Sequence, residues 1–191
     1  MDVVTYLKSS FRGLSDIRKD LHNMDILRLS LIVSIVYCVH LDYCESQVLE
    51  IRELELLLIN IYRPPSAPKQ LFEDILNRCQ EIIIEVIEKE NTKAKTTFGF
   101  GDYNFPFIKW PSNRIYSRDK EPAQMASEKQ QAKLLLEWAE QNFMEQFIHT
   151  ATRKGNILDW VFSNSNDLIH SYSTIVNKLF SDHNIIKVNL N

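Results

Sequence analysis

Apolar and polar positions follow two periods along this chain, and each change of period marks a predicted element. Between Gln70 and Glu90, Leu71, Phe72, Ile75, Leu76, Cys79, Ile82, Ile83, Val86 and Ile87 recur at helical spacing, with acids and Lys89 filling the other face. That stripe predicts an amphipathic helix. A second helix is predicted over 128–143, where Ala132, Leu135, Leu136, Ala139 and Phe143 keep the same interval and Ser127 stands at the capping position. Phe11, Leu14, Ile17 and Leu21 predict another over 11–22. The segment 25–39 begins with alternation and runs into an apolar stretch, which reads as a strand or as a buried helix.

Shorter apolar runs predict strands. Val48 to Ile51 and Leu54 to Ile61, parted by Arg52-Glu53, read as a hairpin. Pro64, Pro65 and Pro68 end its second strand, because proline has no N–H for a ladder and restricts the residue before it. Thr96 to Phe100, Phe147 to Thr150, Leu158 to Phe162 and Ile185 to Leu190 read as further strands, with 106–122 as loop. Helices interleaved with strands argue for an α/β or α+β fold and against a helical bundle.

With 191 residues, 45% of them hydrophobic and 25% charged, the chain has the composition of a globular protein, and one domain over 1–191 is expected. Twenty-two basic residues against 25 acidic ones give a net charge of −3, so no general basic field marks a nucleic-acid partner. Arg114, Arg118 and Lys120 read as a solvated loop, with a local phosphate contact as the alternative. Cys38, Cys44 and Cys79 have neither zinc-ligand spacing nor an even count, which favours a reducing, intracellular compartment, nucleus or cytoplasm. Leu31 to Val39 is too short to span a membrane, and no signal-peptide pattern follows Met1.

Two short pieces concentrate the chemistry: Gly99-Phe100-Gly101-Asp102-Tyr103-Asn104-Phe105-Pro106 and Ser181-Asp182-His183. An acid and an amide two residues apart on an extended segment share a side. Together with a second carboxylate and an imidazole, they are the groups that phosphate-ester hydrolysis needs: a base for water, metal ligands, and donors for developing charge.

The order of four motifs adds a family resemblance. Tyr62-Arg63-Pro64-Pro65, Gly101-Asp102-Tyr103-Asn104, the run from Asn156 to Asn164 that contains Ile157-Leu158-Asp159-Trp160, and Ser181-Asp182-His183 resemble the endonuclease/exonuclease/phosphatase superfamily. Within it, the chain is most similar to the endonuclease domain of non-LTR retrotransposon (reverse transcriptase) polyproteins, over about residues 46–190. The resemblance implies a four-layer α/β sandwich of two packed β-sheets with outer helices, truncated in its N-terminal half. It also implies Mg²⁺ or Mn²⁺ as cofactor and DNA as partner, with no membrane and no indication of oligomeric state.

Roles follow from it residue by residue. Asp182 matches the family's C-terminal metal-site acid, Asp102 the acid that positions and deprotonates water, and Asn104 the amide that holds that water and phosphate oxygens. His183 matches the histidine that donates to a non-bridging oxygen, and Asp159 the acid that orients it. Tyr62 matches a tyrosine reaching the scissile phosphate; without the family pattern it reads as an aromatic closing a strand.

Departures lie upstream. Residues 10–31 resemble a worn copy of the family's opening, with Ser10 in place of an asparagine and Leu31 in place of a metal-binding glutamate. Losing one carboxylate weakens the hold on a divalent ion. Two functions follow as expectations: a metal-dependent endonuclease or phosphodiesterase of retrotransposon origin, weakened by that loss, or an inactive remnant that binds nucleic acid or a protein. His22, His40, His149 and His170 read as surface or core histidines, Glu81, Glu85, Glu88 and Glu90 as a solvated helix face, and Trp110, Trp138 and Trp160 as core or interface bulk.

Overall fold

The computed structural model describes residues 2–3, 33–41, 44–51, 54–88, 95–110, 112–116, 123–176 and 182–191. The helix predicted over 11–22, the first part of the 25–39 segment, Ser10 and Leu31 lie outside the described residues. In chain order the strands are β1 (Asp2–Val3), β2 (Val33–Leu41), β3 (Cys44–Ile51), β4 (Leu56–Tyr62), β5 (Thr96–Asp102), β6 (Ile108–Lys109), β7 (Arg114–Ile115), β8 (Glu145–Gln146), β9 (Asp159–Ser163), β10 (Ile169–Ile175) and β11 (Ile185–Leu190). Among the described residues the helices are α1 (Lys69–Glu88), which follows β4, and α2 (Ala123–Gln141), which follows β7.

The fold is a mixed α/β sandwich. A six-stranded sheet has the order β2-β3-β4-β5-β9-β8, and a three-stranded sheet the order β1-β11-β10. β3 and β4 form the expected antiparallel hairpin, from Glu45 opposite Tyr62 to Ile51 opposite Leu56. The prolines after Tyr62 break the ladder, α1 crosses over, and β5 returns parallel to β4, a connection that two parallel neighbours require.

Alternation along β4 separates two cores. Leu57, Ile59 and Ile61 meet Phe72, Ile75, Cys79 and Ile82 of α1 and Leu135 and Trp138 of α2. Leu56 and Leu58 belong to the opposite core with Phe98, Val161, Ile186, Val188 and Leu190. Among the described residues the layers are therefore helices, large sheet, small sheet. The buried positions of α1, Phe72, Ile75, Leu76, Cys79, Ile82, Ile83 and Val86, keep the predicted period, whereas Ile87 is 60% exposed.

Four elements differ from the sequence reading. α2 begins at Ala123, so Ser127 lies inside it and does not cap it. The predicted strand Phe147 to Thr150 is absent: strand pairing with β9 ends at Gln146, whose side-chain amide donates to the carbonyl of Ile148 and accepts its N–H, serving both backbone groups. β10 was not expected, because its exposed His170, Ser171 and Ser173 leave no apolar run to read. The loop after Pro106 contains the β6–β7 hairpin.

Candidate active site

Strand register builds the site. Tyr62, which ends β4, is opposite Asp102, which ends β5, and Asp102 is opposite Asp159, which begins β9. Side chains at one register on neighbouring strands share a face, so Tyr62, Asp102 and Asp159 form a row on the face that carries Leu58 and Phe98, toward the small sheet. His183 precedes β11 of that sheet and closes over the row. Gly101 allows the approach of β5 to β4: at φ +153°, a Cβ there would lie 1.8 Å from the carbonyl oxygen of Ile61.

The imidazole is held at one nitrogen and faces a second carboxylate with the other. His183 Nδ1 lies 2.8 Å and 3.0 Å from the two carboxylate oxygens of Asp159, and Nε2 lies 3.8 Å from Asp102 Oδ2. Asp159 is itself anchored, since its N–H and that of Leu158 donate to the buried Oγ1 of Thr152 at 3.1 Å and 2.9 Å. A carboxylate on Nδ1 favours the tautomer that carries its proton there. The hydrogen bond that His183 donates to Asp159 raises the His183 pKa above its ordinary 6.5, against the opposing effect of burial. Burial, reinforced by the charge of Asp159, pushes Asp102 up to about 6, with His183 and Asn104 pulling the other way. Among the described residues its buried Oδ1 has no hydrogen-bond partner.

Asn104 follows β5 in the left-handed conformation, φ 53°, which asparagine tolerates. Its amide donates to the carbonyl of Arg63 at 2.9 Å. Arg63 is wholly buried. Its Nε donates to Gln131 Oε1 at 2.8 Å, its Nη1 faces the carbonyls of Tyr103 and Asn104 at 3.3 Å and 3.4 Å, and its guanidinium lies 4.1 Å from the centre of the Phe105 ring.

Asp182 points elsewhere. Its Oδ2 takes Arg153 Nε at 2.8 Å and Nη2 at 2.7 Å, with Lys154 Nζ at 3.6 Å. Those cations hold its pKa below the usual carboxylate value. The structure thus brings Asp102, Asp159 and His183 together with Tyr62 and Asn104 beside them, and leaves the Asp182 carboxylate on the Arg153–Lys154 turn.

As a metal centre the donor set is partly suited. Asp102, Asp159 and His183 present ligand atoms within 4.8 Å of one another. The unpartnered Asp102 Oδ1 is the kind of oxygen a hard divalent cation takes. Sequence reasoning passed over three residues of this region. Arg63 lies in the Tyr62-Arg63-Pro64-Pro65 motif, where an arginine between a tyrosine and two prolines is an unusual companion for a strand end. Thr152 and Arg153 lie just ahead of the Asn156–Asn164 motif, and their value depends on partners from other segments.

The sequence matches the endonuclease-reverse transcriptase family over residues 56–187, and the protein belongs to that family, within the endonuclease/exonuclease/phosphatase group. Among solved structures it is similar to the endonuclease domain of TRAS1, a telomere-specific non-LTR retrotransposon, with 15% identity and a TM-score of 0.47 over 81% of this chain and 68% of that one. An endonuclease/exonuclease/phosphatase family protein of Bacteroides thetaiotaomicron is 11% identical, with a TM-score of 0.48 over 83% of this chain and 63% of that one. A mannosyl-6-phosphatase of the same bacterium is 11% identical, with a TM-score of 0.44 over 83% and 66%. The chain spans 63% to 68% of the length of these structures. No curated protein matches it. No helix among the described residues is long and apolar enough to cross a membrane.

Proposed function

We propose that the protein is a metal-dependent endonuclease or phosphodiesterase of retrotransposon origin acting on the phosphodiester bonds of DNA. The observation that carries this reading is the linked set Asp159–His183–Asp102, two carboxylates at the ends of adjacent strands β5 and β9 and an imidazole brought over them from the segment before β11. Asp159 fixes the ring of His183 and favours its charged form, so that Nε2 offers a proton to a phosphoryl oxygen as negative charge builds there. Asp102, with a pKa of about 6, is mostly ionised at neutral pH and remains basic enough to take a proton from water. Asn104, held by Arg63, adds an amide donor, and the Tyr62 hydroxyl is a further group for the phosphate. A Mg²⁺ or Mn²⁺ ion bound at Asp102 and its neighbours would neutralise phosphoryl charge and acidify water.

A second reading rests on Asp182. Its ion pair with Arg153 and Lys154 removes a carboxylate from the cluster, which supports a remnant that binds nucleic acid without cleaving it. Nicking of supercoiled plasmid separates the two. The first reading expects relaxed circles with Mg²⁺ or Mn²⁺, none with EDTA, and a loss of about a hundredfold or more in Asp102→Asn and His183→Ala. Nicking that persists in both variants would assign the activity to a contaminant and remove the first reading.

A further inference from the structure

Beside the reactive cluster lies a cleft of about 240 Å³ lined by Pro65, Asn104, Glu128, Arg153, Lys154 and Asn156, among others. Its cations stand on a tight turn. Arg153 and Asn156 pair across it, and Lys154 and Gly155, with φ 45° and 82°, form its two-residue tip. Positive φ at both central positions is the geometry of a tight two-residue hairpin turn. The turn is tied down further, as Thr152 receives Asn184 N–H at 2.7 Å and Ala151 receives the Asn184 amide at 3.0 Å.

What the cations hold at present is easily exchanged. Asp182 is 47% exposed and Lys154 75% exposed. An ion pair that wet adds little to stability and gives way readily to a competing anion. A phosphodiester offers the guanidinium two oxygens in matching geometry, as a carboxylate does, and takes Lys154 as a point charge.

We propose that the Arg153–Lys154 turn is a docking subsite for a backbone phosphodiester of nucleic acid, in which the phosphate replaces Asp182 as the partner of Arg153. Because Asp182 adjoins His183 in the chain, its release returns a carboxylate to the edge of the reactive cluster only when substrate is seated. The inference rests on the nucleic-acid reading above and deepens it. It assigns Asp182 two alternative partners, one for the empty site and one for the occupied site.

The test is fluorescence anisotropy with a labelled DNA duplex and the full chain in EDTA, so that no turnover enters. In Lys154→Asn, which keeps a residue suited to the turn, and in Arg153→Gln, the slope of log affinity against log salt should each fall by about one. Asp182→Asn should tighten binding roughly two- to fivefold, the equivalent of an exposed ion pair, and the gain should vanish in the Arg153→Gln background. An equal gain in both backgrounds would reduce the effect to bulk charge and overturn the exchange. Unchanged salt slopes in both single variants would overturn the subsite, with Lys154→Asn deciding alone should Arg153→Gln lose its fold by circular dichroism. Inorganic phosphate should compete no better than sulfate at equal ionic strength; specific displacement of the duplex by phosphate would reassign the turn to the free ion. A chain that binds DNA in this way and never nicks plasmid keeps the subsite and loses the endonuclease, so the two failures are distinguishable.

Discussion

Asp102 is the residue at which the site opposes the fold. Its carboxyl stands at about 6 instead of 3.8, so the folded chain holds that proton more tightly than the unfolded chain does. The sign follows from linkage: the penalty is absent below about pH 3.8, grows as pH rises to about 6, and is constant above that. Asp102→Asn removes the charge and should raise stability at pH 7 by at most about 3 kcal/mol, the equivalent of the shift, with the gain fading below about pH 4. Urea denaturation at the two pH values measures it, and a variant no more stable than the parent at pH 7 would show that the Asp102 carboxyl carries no net penalty in the folded chain. His183 runs the other way, with a pKa raised above 6.5, so its stabilising share is full below that pH and is lost as pH rises through the raised value. Asp102, Asp159 and His183 were legible in the sequence because each sits in a short motif. Arg63 and Thr152 were not, because a buried polar side chain is defined by its partners. For Thr152 these are N–H groups six and seven residues downstream, and for Arg63 an amide 68 residues away.

At the scale of elements, the long apolar stripe of α1 and the β3–β4 hairpin could be read directly, since period and proline placement both act locally. The boundaries of α2 could not. Ser127 has the chemistry of a cap, but the helix starts at Ala123, and its other end closes in a turn whose residue type gives no warning. Met144 N–H donates to Ala139 at 2.8 Å and Phe143 N–H to Glu140 at 3.0 Å, the paired bonds of a Schellman motif. Such a motif wants glycine at its left-handed position. Here that position is Phe143, at φ 55° and 85% exposed, so the ring returns little burial for the strain. Phe143→Gly should stabilise the protein by about 1 kcal/mol, read as a higher denaturation midpoint with an unchanged slope. A lower midpoint would mean that Phe143 packs in solution against something that offsets its backbone cost.

At the scale of the whole molecule, the sheet-on-sheet arrangement was inferred from family resemblance, since alternating helices and strands alone leave α/β and α+β folds equally open. What physically joins the layers at the site end is Arg63. It leaves β4, reaches Gln131 on α2, and faces the carbonyls of Tyr103 and Asn104 after β5, while its own carbonyl takes the Asn104 amide. Gln131 in turn donates to Ala67 at 3.0 Å, securing the proline turn before α1. A guanidinium this buried is expensive to desolvate, so its net effect depends on how fully its donors are met. Arg63→Met keeps the length and the apolar stem over Phe105 but leaves buried carbonyls and Gln131 without a donor. We predict a loss of about 2 to 4 kcal/mol, measured by chemical denaturation. Replacing Gln131 as well, in Arg63→Met with Gln131→Leu, should cost less than the sum of the single changes, because the double variant buries no orphaned amide. Strict additivity would show that the two side chains act independently. A loss below about 1 kcal/mol in Arg63→Met would place the tie between strand end and helix in the apolar core instead.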